Sequence, residues 1–238
     1  MFNRSDLIDQ YAVPGQRPYL RANMIASLDG AATIGGLSGG LNDAWDKQVF
    51  DTLRMLADVV IVGSGTLLAE GYGPLELDQG AVAWRRERGL ADHPVLAIVT
   101  GSLSMSPDHP MLAAAPIRPV ILTHAGASRA RRAALAAVAD VLECGPNSVD
   151  LSTAKAALAD RGLVHQLCEG GPTVLGQAFA ADVVDELCLT MAPIVTAGDA
   201  PRIATSPVAS PHRMELMHVL SGGPMLFLRY QRDRTSES

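Results

Sequence analysis

Apolar residues in this chain fall in short runs divided by polar turns. Runs of strand length occupy 19–26, 59–63, 95–100, 120–123, 164–168 and 187–195. Between them the apolar spacing becomes helical. In 46–57, Val49, Leu53 and Leu56 share one face. The segment 128–139 is alanine-rich, with Arg129, Arg131 and Arg132 near its start, and 152–160 and 173–181 complete the set. Strands alternating with helices of this length predict βαβ units and a mostly parallel sheet. The last third changes character. Segments 187–195, 212–220 and 224–230 are strand-like with no long helix between them. They predict antiparallel strands added at a sheet edge. No repeat or low-complexity linker interrupts the pattern. One α/β domain over 1–238 is expected, with a core of about 18–232 and frayed ends.

Composition narrows this picture. With 238 residues, 48% of them hydrophobic, the chain can bury a substantial core. No uninterrupted apolar stretch reaches the roughly 18 residues of a membrane span. The opening MFNRSDLIDQ lacks the apolar region of a signal peptide. A cytoplasmic protein with no membrane partner is therefore expected. A net charge of −6 argues against nucleic acid as a partner. The basic cluster Arg85, Arg86 and Arg88 reads as a solvated helix face. Cys144, Cys168 and Cys188 are odd in number and widely spaced, which fits neither a disulfide framework nor a zinc site. Cys168 and Cys188 sit in apolar runs and read as core packing. The six histidines form no ligand grouping, so no metal is expected.

Glycine-rich turns carry the candidate chemistry. Ser27-Leu28-Asp29-Gly30 is followed by Gly35-Gly36-Leu37-Ser38-Gly39-Gly40, which suits a mobile loop closing over a ligand. Val62-Gly63-Ser64-Gly65-Thr66 runs from a buried strand into a helix start. Glu169-Gly170-Gly171-Pro172-Thr173 does the same after Cys168, and Pro172 suits a first helical turn. Thr100-Gly101-Ser102 closes another strand. Glycines at such turns let backbone N–H groups at a helix N-terminus approach a phosphate. Neither the Rossmann GxGxxG spacing nor a Walker motif is present. Each turn alone also reads as a tight βα connection. Several at the C-terminal ends of parallel strands point to one ligand crevice.

Together these segments resemble a known family. Asn23-Met24-Ile25-Ala26-Ser27-Leu28-Asp29-Gly30, Gly63-Ser64-Gly65-Thr66, Glu169-Gly170-Gly171-Pro172-Thr173 and Val184-Asp185-Glu186-Leu187, running on to Ala192-Pro193, follow the reductase domain of bifunctional riboflavin-biosynthesis proteins in order and spacing. That domain is a relative of dihydrofolate reductase, and the resemblance spans roughly 18–230. It implies a dihydrofolate-reductase-like three-layer fold with a mixed, mostly parallel central sheet. It also implies a homodimer, and NADPH-dependent reduction of a phosphoribosylamino-pyrimidine, 5-amino-6-(5-phosphoribosylamino)uracil. On the cofactor side it implies Gly63, Gly65, Thr66, Glu70, Thr100, Gly101 and the segment Gly170, Gly171, Pro172, Thr173, Val174 and Leu175, running on to Gln177. Ser102 and Arg129 are further candidates for the extra phosphate of NADPH. On the substrate side it implies Asn23, Ser38, Arg54, Asp29 and Glu169, with Glu169 and Asn23 nearest the chemistry. In the implied reaction a ribosylamine opens to an imine, hydride adds to the former anomeric carbon, and an acid handles the ring-oxygen proton.

Each assignment has a plainer alternative. Glu169 also reads as a helix N-cap carboxylate, Arg54 as a surface partner of Asp51 or Asp58, and Asp29 as a turn former. The chain departs from the family in three places. No zinc deaminase segment of the HxE…PCxxC kind is present, so a chain with the reductase alone is expected. The family often has Asp where this chain has Glu70. It also places an arginine six or seven residues beyond, where Glu76 and Leu77 stand here. Losing that fork of donors weakens a phosphate site, although Arg17, Arg21 and Arg202 are candidate replacements. A dihydrofolate or pterin reductase is therefore the alternative. A nucleotide-binding protein without turnover is a second, disfavoured by the joint presence of Asn23, Arg54, Thr66 and Glu169.

Overall fold

The computed structural model describes residues 2–13, 15–71 and 73–234. Nine strands form one sheet: β1 (Tyr19–Ala26), β2 (Val59–Gly63), β3 (Val95–Val99), β4 (Val120–Thr123), β5 (Asp140–Glu143), β6 (His165–Cys168), β7 (Glu186–Met191), β8 (Met214–Gly222) and β9 (Met225–Arg232). Their order is β5-β4-β3-β2-β6-β1-β7-β9-β8. Among the described residues eight α-helices flank it: α1 (Arg4–Tyr11), α2 (Ala44–Leu56), α3 (Ser64–Glu70), α4 (Gln79–Arg86), α5 (Pro110–Ala113), α6 (Arg129–Ala136), α7 (Leu151–Ala159) and α8 (Pro172–Ala180).

The expected parallel sheet is present, and its extent differs from expectation in one respect. Strand β7 pairs antiparallel with β9, as expected, but its other edge is parallel. It pairs in parallel with β1, Arg21 opposite Glu186 through Ala26 opposite Met191. Strand β9 runs against both its neighbours, β7 and β8, the second across the tight turn at Gly223 and Pro224. The apolar runs arise from burial on both faces. In β2, Val60 and Val62 pack with Val49 and Leu53 of α2 and Leu67 of α3, while Val59 and Ile61 pack with α7 and α8 through Leu158, Leu175 and Ala178. The sheet therefore separates two apolar layers.

Some elements escaped the pattern. The N-terminus expected to fray forms α1, capped by Asn3 with a capping box, and buries Leu7 and Tyr11. Strand β5 is too short and too exposed to show an apolar run. Arg85 does not lie on a solvated face. It is 1% exposed and donates to the carbonyls of Met55, Ala57 and Ala91, so it holds the α2 C-terminus rather than facing water. Arg86 and Arg88 do face water, paired with Asp92 and stacked on Trp84. All three cysteines are buried and free. Burial pushes the Cys168 thiol up to about 11 and raises those of Cys144 and Cys188 as well, which keeps them inert. No described helix is long and apolar enough to cross a membrane.

Beneath the centre of the sheet lies a buried ionic cluster. Glu186 opens β7 and is fully buried. Arg21 of β1 and Arg229 of β9 both pair with it, and the Tyr19 hydroxyl donates to it at 2.8 Å. The two guanidinium groups also reach the carbonyls of Gln10, Tyr11 and Ala12, so the cluster pins the end of α1 to three strands.

Candidate active site

In a parallel sheet the connections at the C-terminal strand ends enclose a crevice. Here it holds two cavities, of about 200 Å³ and about 410 Å³, divided by the turn that follows β6. Glu169 lines the first and Gly171 the second.

The first cavity lies over β1. Asn23, Met24 and Ile25 form its floor, and Asp46, Lys47 and Phe50 of α2 form one wall. Asn23 is 9% exposed, and its Oδ1 has no partner within the protein. Ser38 lines the cavity at the end of the glycine-rich loop. That loop turns at Gly35 and Gly36, both with positive φ, through reciprocal backbone bonds between Ile34 and Leu37. Its exposed tip residues Ile34 and Leu37 stand free of the core.

Glu169 is not a helix cap. Both its oxygens accept from Arg54, at 2.7 and 2.6 Å, in a two-pronged pair with side chains 4% and 18% exposed. Arg54 also lies 4.1 Å above the Phe50 ring. The plainer reading of Arg54, a surface bridge to Asp51 or Asp58, therefore gives way. Asp51 pairs with Lys47, and Asp58 accepts from the backbone of Val164 and His165.

Three residues expected near a ligand are occupied elsewhere. Asp29 lines neither cavity. It accepts from the Ser27 hydroxyl and from the backbone N–H groups of Thr196 and Ala197, and these bonds lower its pKa to about 2. Glu70 also lines neither cavity, and accepts from the Ser38 N–H at 2.8 Å. Arg21 belongs to the Glu186 cluster and cannot replace the missing arginine. Of the other replacements, Arg17 lies over Tyr19, whereas Arg202 adjoins Pro201, whose carbonyl accepts from Ala32 on the rim of the first cavity.

Asp46 is the residue the sequence reading missed. It sits in the first turn of α2, is 8% exposed and meets the Thr190 hydroxyl. Burial raises its pKa, opposed by the Thr190 bond and assisted by Asp43. Its signal was hidden because Asp46 reads as a helix-start carboxylate. Asp43 takes that role instead, accepting from Trp45 and Asp46 N–H groups.

The second cavity spans the ends of β2, β3, β4 and β6. Among the residues the resemblance put on the cofactor side, Gly63, Gly65, Thr66, Thr100, Gly101, Gly171, Pro172, Thr173, Val174 and Gln177 line it. Gly170 and Leu175 do not. Gly170 accepts from the Gly63 N–H at 2.7 Å, and Leu175 is in the core. The fit is tight: a Cβ on Gly171 would stand 2.1 Å from Thr66 Oγ1. Helices α1, α2, α4, α5, α6 and α7 have side-chain N-caps, whereas α8, which opens onto this cavity, has none. Its first N–H groups remain available to an anion. Ser102 and Arg129 do not line the cavity; His124, Asn147 and Ser148 do, and the sequence reading did not single them out although Gly126 and Gly145 lie close by.

Two adjoining cavities, one with an open helix N-terminus and one with a buried carboxyl and an Arg–Glu pair, at the strand ends of a three-layer α/β fold, belong to an oxidoreductase. Within that class the chain belongs to the RibD C-terminal domain family, whose model matches residues 18–228. A reductase from Methanothermobacter thermautotrophicus, named 2,5-diamino-6-ribosylamino-4(3H)-pyrimidinone 5′-phosphate reductase, is 26% identical over 219 residues, 90% of this chain and 98% of that protein. A protein of the same name from Archaeoglobus fulgidus is 26% identical over 189 residues, 79% of this chain and 86% of that protein. The crystal structure of a pyrimidine reductase-like protein from Corynebacterium diphtheriae superposes with a TM-score of 0.84 at 29% identity, covering 96% of this chain and 98% of that one.

Proposed function

We propose that this chain is an NADPH-dependent reductase of riboflavin biosynthesis acting on a ribosylamino-pyrimidine whose ring carries a 2-amino-4-oxo edge. The observation that carries the choice of ring is Asp46. A carboxylate offers two acceptor oxygens to a neighbouring pair of N–H donors. A 2-amino-4-oxopyrimidine presents that pair, the ring N–H and the amino group. A uracil presents a carbonyl in place of the amino group, so oxygen would face oxygen. The diamino-pyrimidinone named for the archaeal relatives has the matching edge, which favours it over the deaminated 5-amino-6-(5-phosphoribosylamino)uracil.

The residues fit a dinucleotide. The uncapped α8 N-terminus and the side-chain-free stretch at Gly63, Gly65 and Gly171 suit a pyrophosphate, which needs close backbone approach. When bound, the nicotinamide supplies hydride. Asp46 and Asn23 orient the ring, Asn23 through its unpartnered Oδ1. Arg54 fixes Glu169 at the boundary between the cavities, where a carboxylate can relay a proton to the substrate. Lys47, which lines the first cavity, is a candidate cation for a substrate phosphate, and Arg202 follows the Pro201 whose carbonyl bonds Ala32 at its rim.

Reduction of a dihydropterin is the second reading. Asp46 favours it too, because a pterin shares the 2-amino-4-oxo edge, and Glu76 and Leu77 stand where a phosphate-gripping arginine is otherwise found. NADPH oxidation followed with the 2,5-diamino-pyrimidinone phosphate, its uracil counterpart and dihydrofolate decides the matter. Turnover of the uracil compound in preference to both others would refute the role given to Asp46. No turnover of any of them would refute the proposal.

The reading extends to a cytoplasmic homodimer. Leu189, Met191, Leu216, Val219, Leu226 and Leu228 fall on one face of the β7-β9-β8 end of the sheet, and Leu216, Val219 and Leu226 are each more than two-fifths exposed. An apolar sheet face of this kind suits a second copy of the chain.

A further inference from the structure

The second cavity differs chemically along its length. Near β6 and β2 it is formed by backbone, at Gly63, Gly65 and Gly171. Near β3 and β4 it is formed by side chains, including Thr100, His124, Asn147 and Ser148. Strand order dictates which part of an extended dinucleotide meets each end. The reacting end must reach the first cavity over β1. The pyrophosphate then falls at β6 and β2 and the adenosine at β3 and β4, four strand spacings or about 19 Å from β1.

His124 is the one ionisable side chain among the described residues that line this cavity. No aspartate or glutamate lines it, although a carboxylate is the usual partner of an unmodified ribose diol. The His124 Nδ1 atom is buried without a partner. A Cβ on Gly101 would stand 3.4 Å from His124 Nε2, so the bare glycine keeps that edge of the ring accessible. Beside it, Arg131 reaches across to the Ser102 carbonyl at 2.8 Å and brings a second cation toward the same end.

We infer that His124 is the residue that selects a phosphorylated adenosine ribose, and with it NADPH over NADH. The inference rests on the dinucleotide reading of this cavity given above. An imidazole donates a hydrogen bond to a phosphate oxygen and, when protonated, adds charge to it. Asn147 and Ser148 supply neutral donors alongside. A ribose hydroxyl gains little from the same arrangement, so the discrimination lies in the phosphate monoester.

Calorimetric titration with 2′,5′-ADP and with 5′-ADP tests this without turnover. The native chain is expected to bind 2′,5′-ADP about tenfold or more tightly than 5′-ADP. His124→Gln is expected to weaken 2′,5′-ADP about tenfold and to leave 5′-ADP within about twofold. Asn147→Asp, which adds a carboxylate beside the same ribose, is expected to reverse the preference. Thermal melts of both ligand-free variants check that the fold is kept. If His124→Gln weakens both ligands equally, or retains the native preference, the assignment is overturned and the cavity reading survives. If the native chain binds neither ligand, both are overturned.

Discussion

Replacing Glu186 with glutamine is the sharpest test of how this sheet is held together. The carboxylate is fully buried and accepts from Arg21, Arg229 and Tyr19. Glutamine keeps the volume but removes the charge, and turns an amide N–H₂ toward two guanidinium groups. Breaking one partner of a buried ion pair costs about 3–5 kcal/mol, because the other charge is left uncompensated. A loss of that size lowers the melting temperature of a chain this long by about 6–20 °C. Urea unfolding of both proteins at neutral pH measures the difference directly, from the midpoint at constant slope. The pH dependence gives a second check. Burial raises the Glu186 pKa, but the two guanidinium groups outweigh it, so the folded value lies below the ordinary one. Its stabilising contribution is therefore complete above the unfolded value, about 4.3. It is lost as pH falls through the folded value, so the native protein should shed stability in acid that the variant never had. A change under about 1 kcal/mol, with parallel acid profiles, would refute the view that this cluster pins α1 to the strands.

Other expectations follow from the two cavities and the sheet edge. Asp46→Asn, which turns an amide N–H₂ toward the donor edge of the ring, should reduce kcat/KM by about 10- to 100-fold while calorimetry shows unchanged NADPH affinity. Because its folded pKa is raised, ionised Asp46 works against folding as pH rises past the ordinary carboxyl range, so the same variant should melt higher at neutral pH. Gly171→Ala places a methyl 2.1 Å from Thr66 Oγ1 and should weaken dinucleotide binding measured by fluorescence titration; an unchanged affinity would remove Gly171 from the cradle. Lysine at both Val219 and Leu226 should yield a monomer by light scattering with little change in urea midpoint, since both side chains are already exposed in one chain.

Much of this protein was legible in its sequence. The runs at 19–26, 59–63 and 120–123 coincide with β1, β2 and β4, because strands covered on both faces are apolar along most of their length. The glycine turns after β2 and β6 line the second cavity, because only residues without a side chain allow that approach at a strand-to-helix junction. Polar partners were not legible. Glu169 and Arg54 are 115 residues apart and meet only once β6 lies beside α2. Arg85 reads as a solvated charge until the carbonyls of Met55, Ala57 and Ala91 converge on it. Asp46 and Asp43 look alike as helix-start carboxylates, and only the packing of α2 over β1 and β7 caps the helix with one and buries the other in the cavity. Local sequence determined where the backbone could turn and which stretches had to be covered, since propensity and periodicity act between neighbours. Tertiary structure decided which charges are partnered, because a buried charge takes its role from groups that the chain delivers from far away.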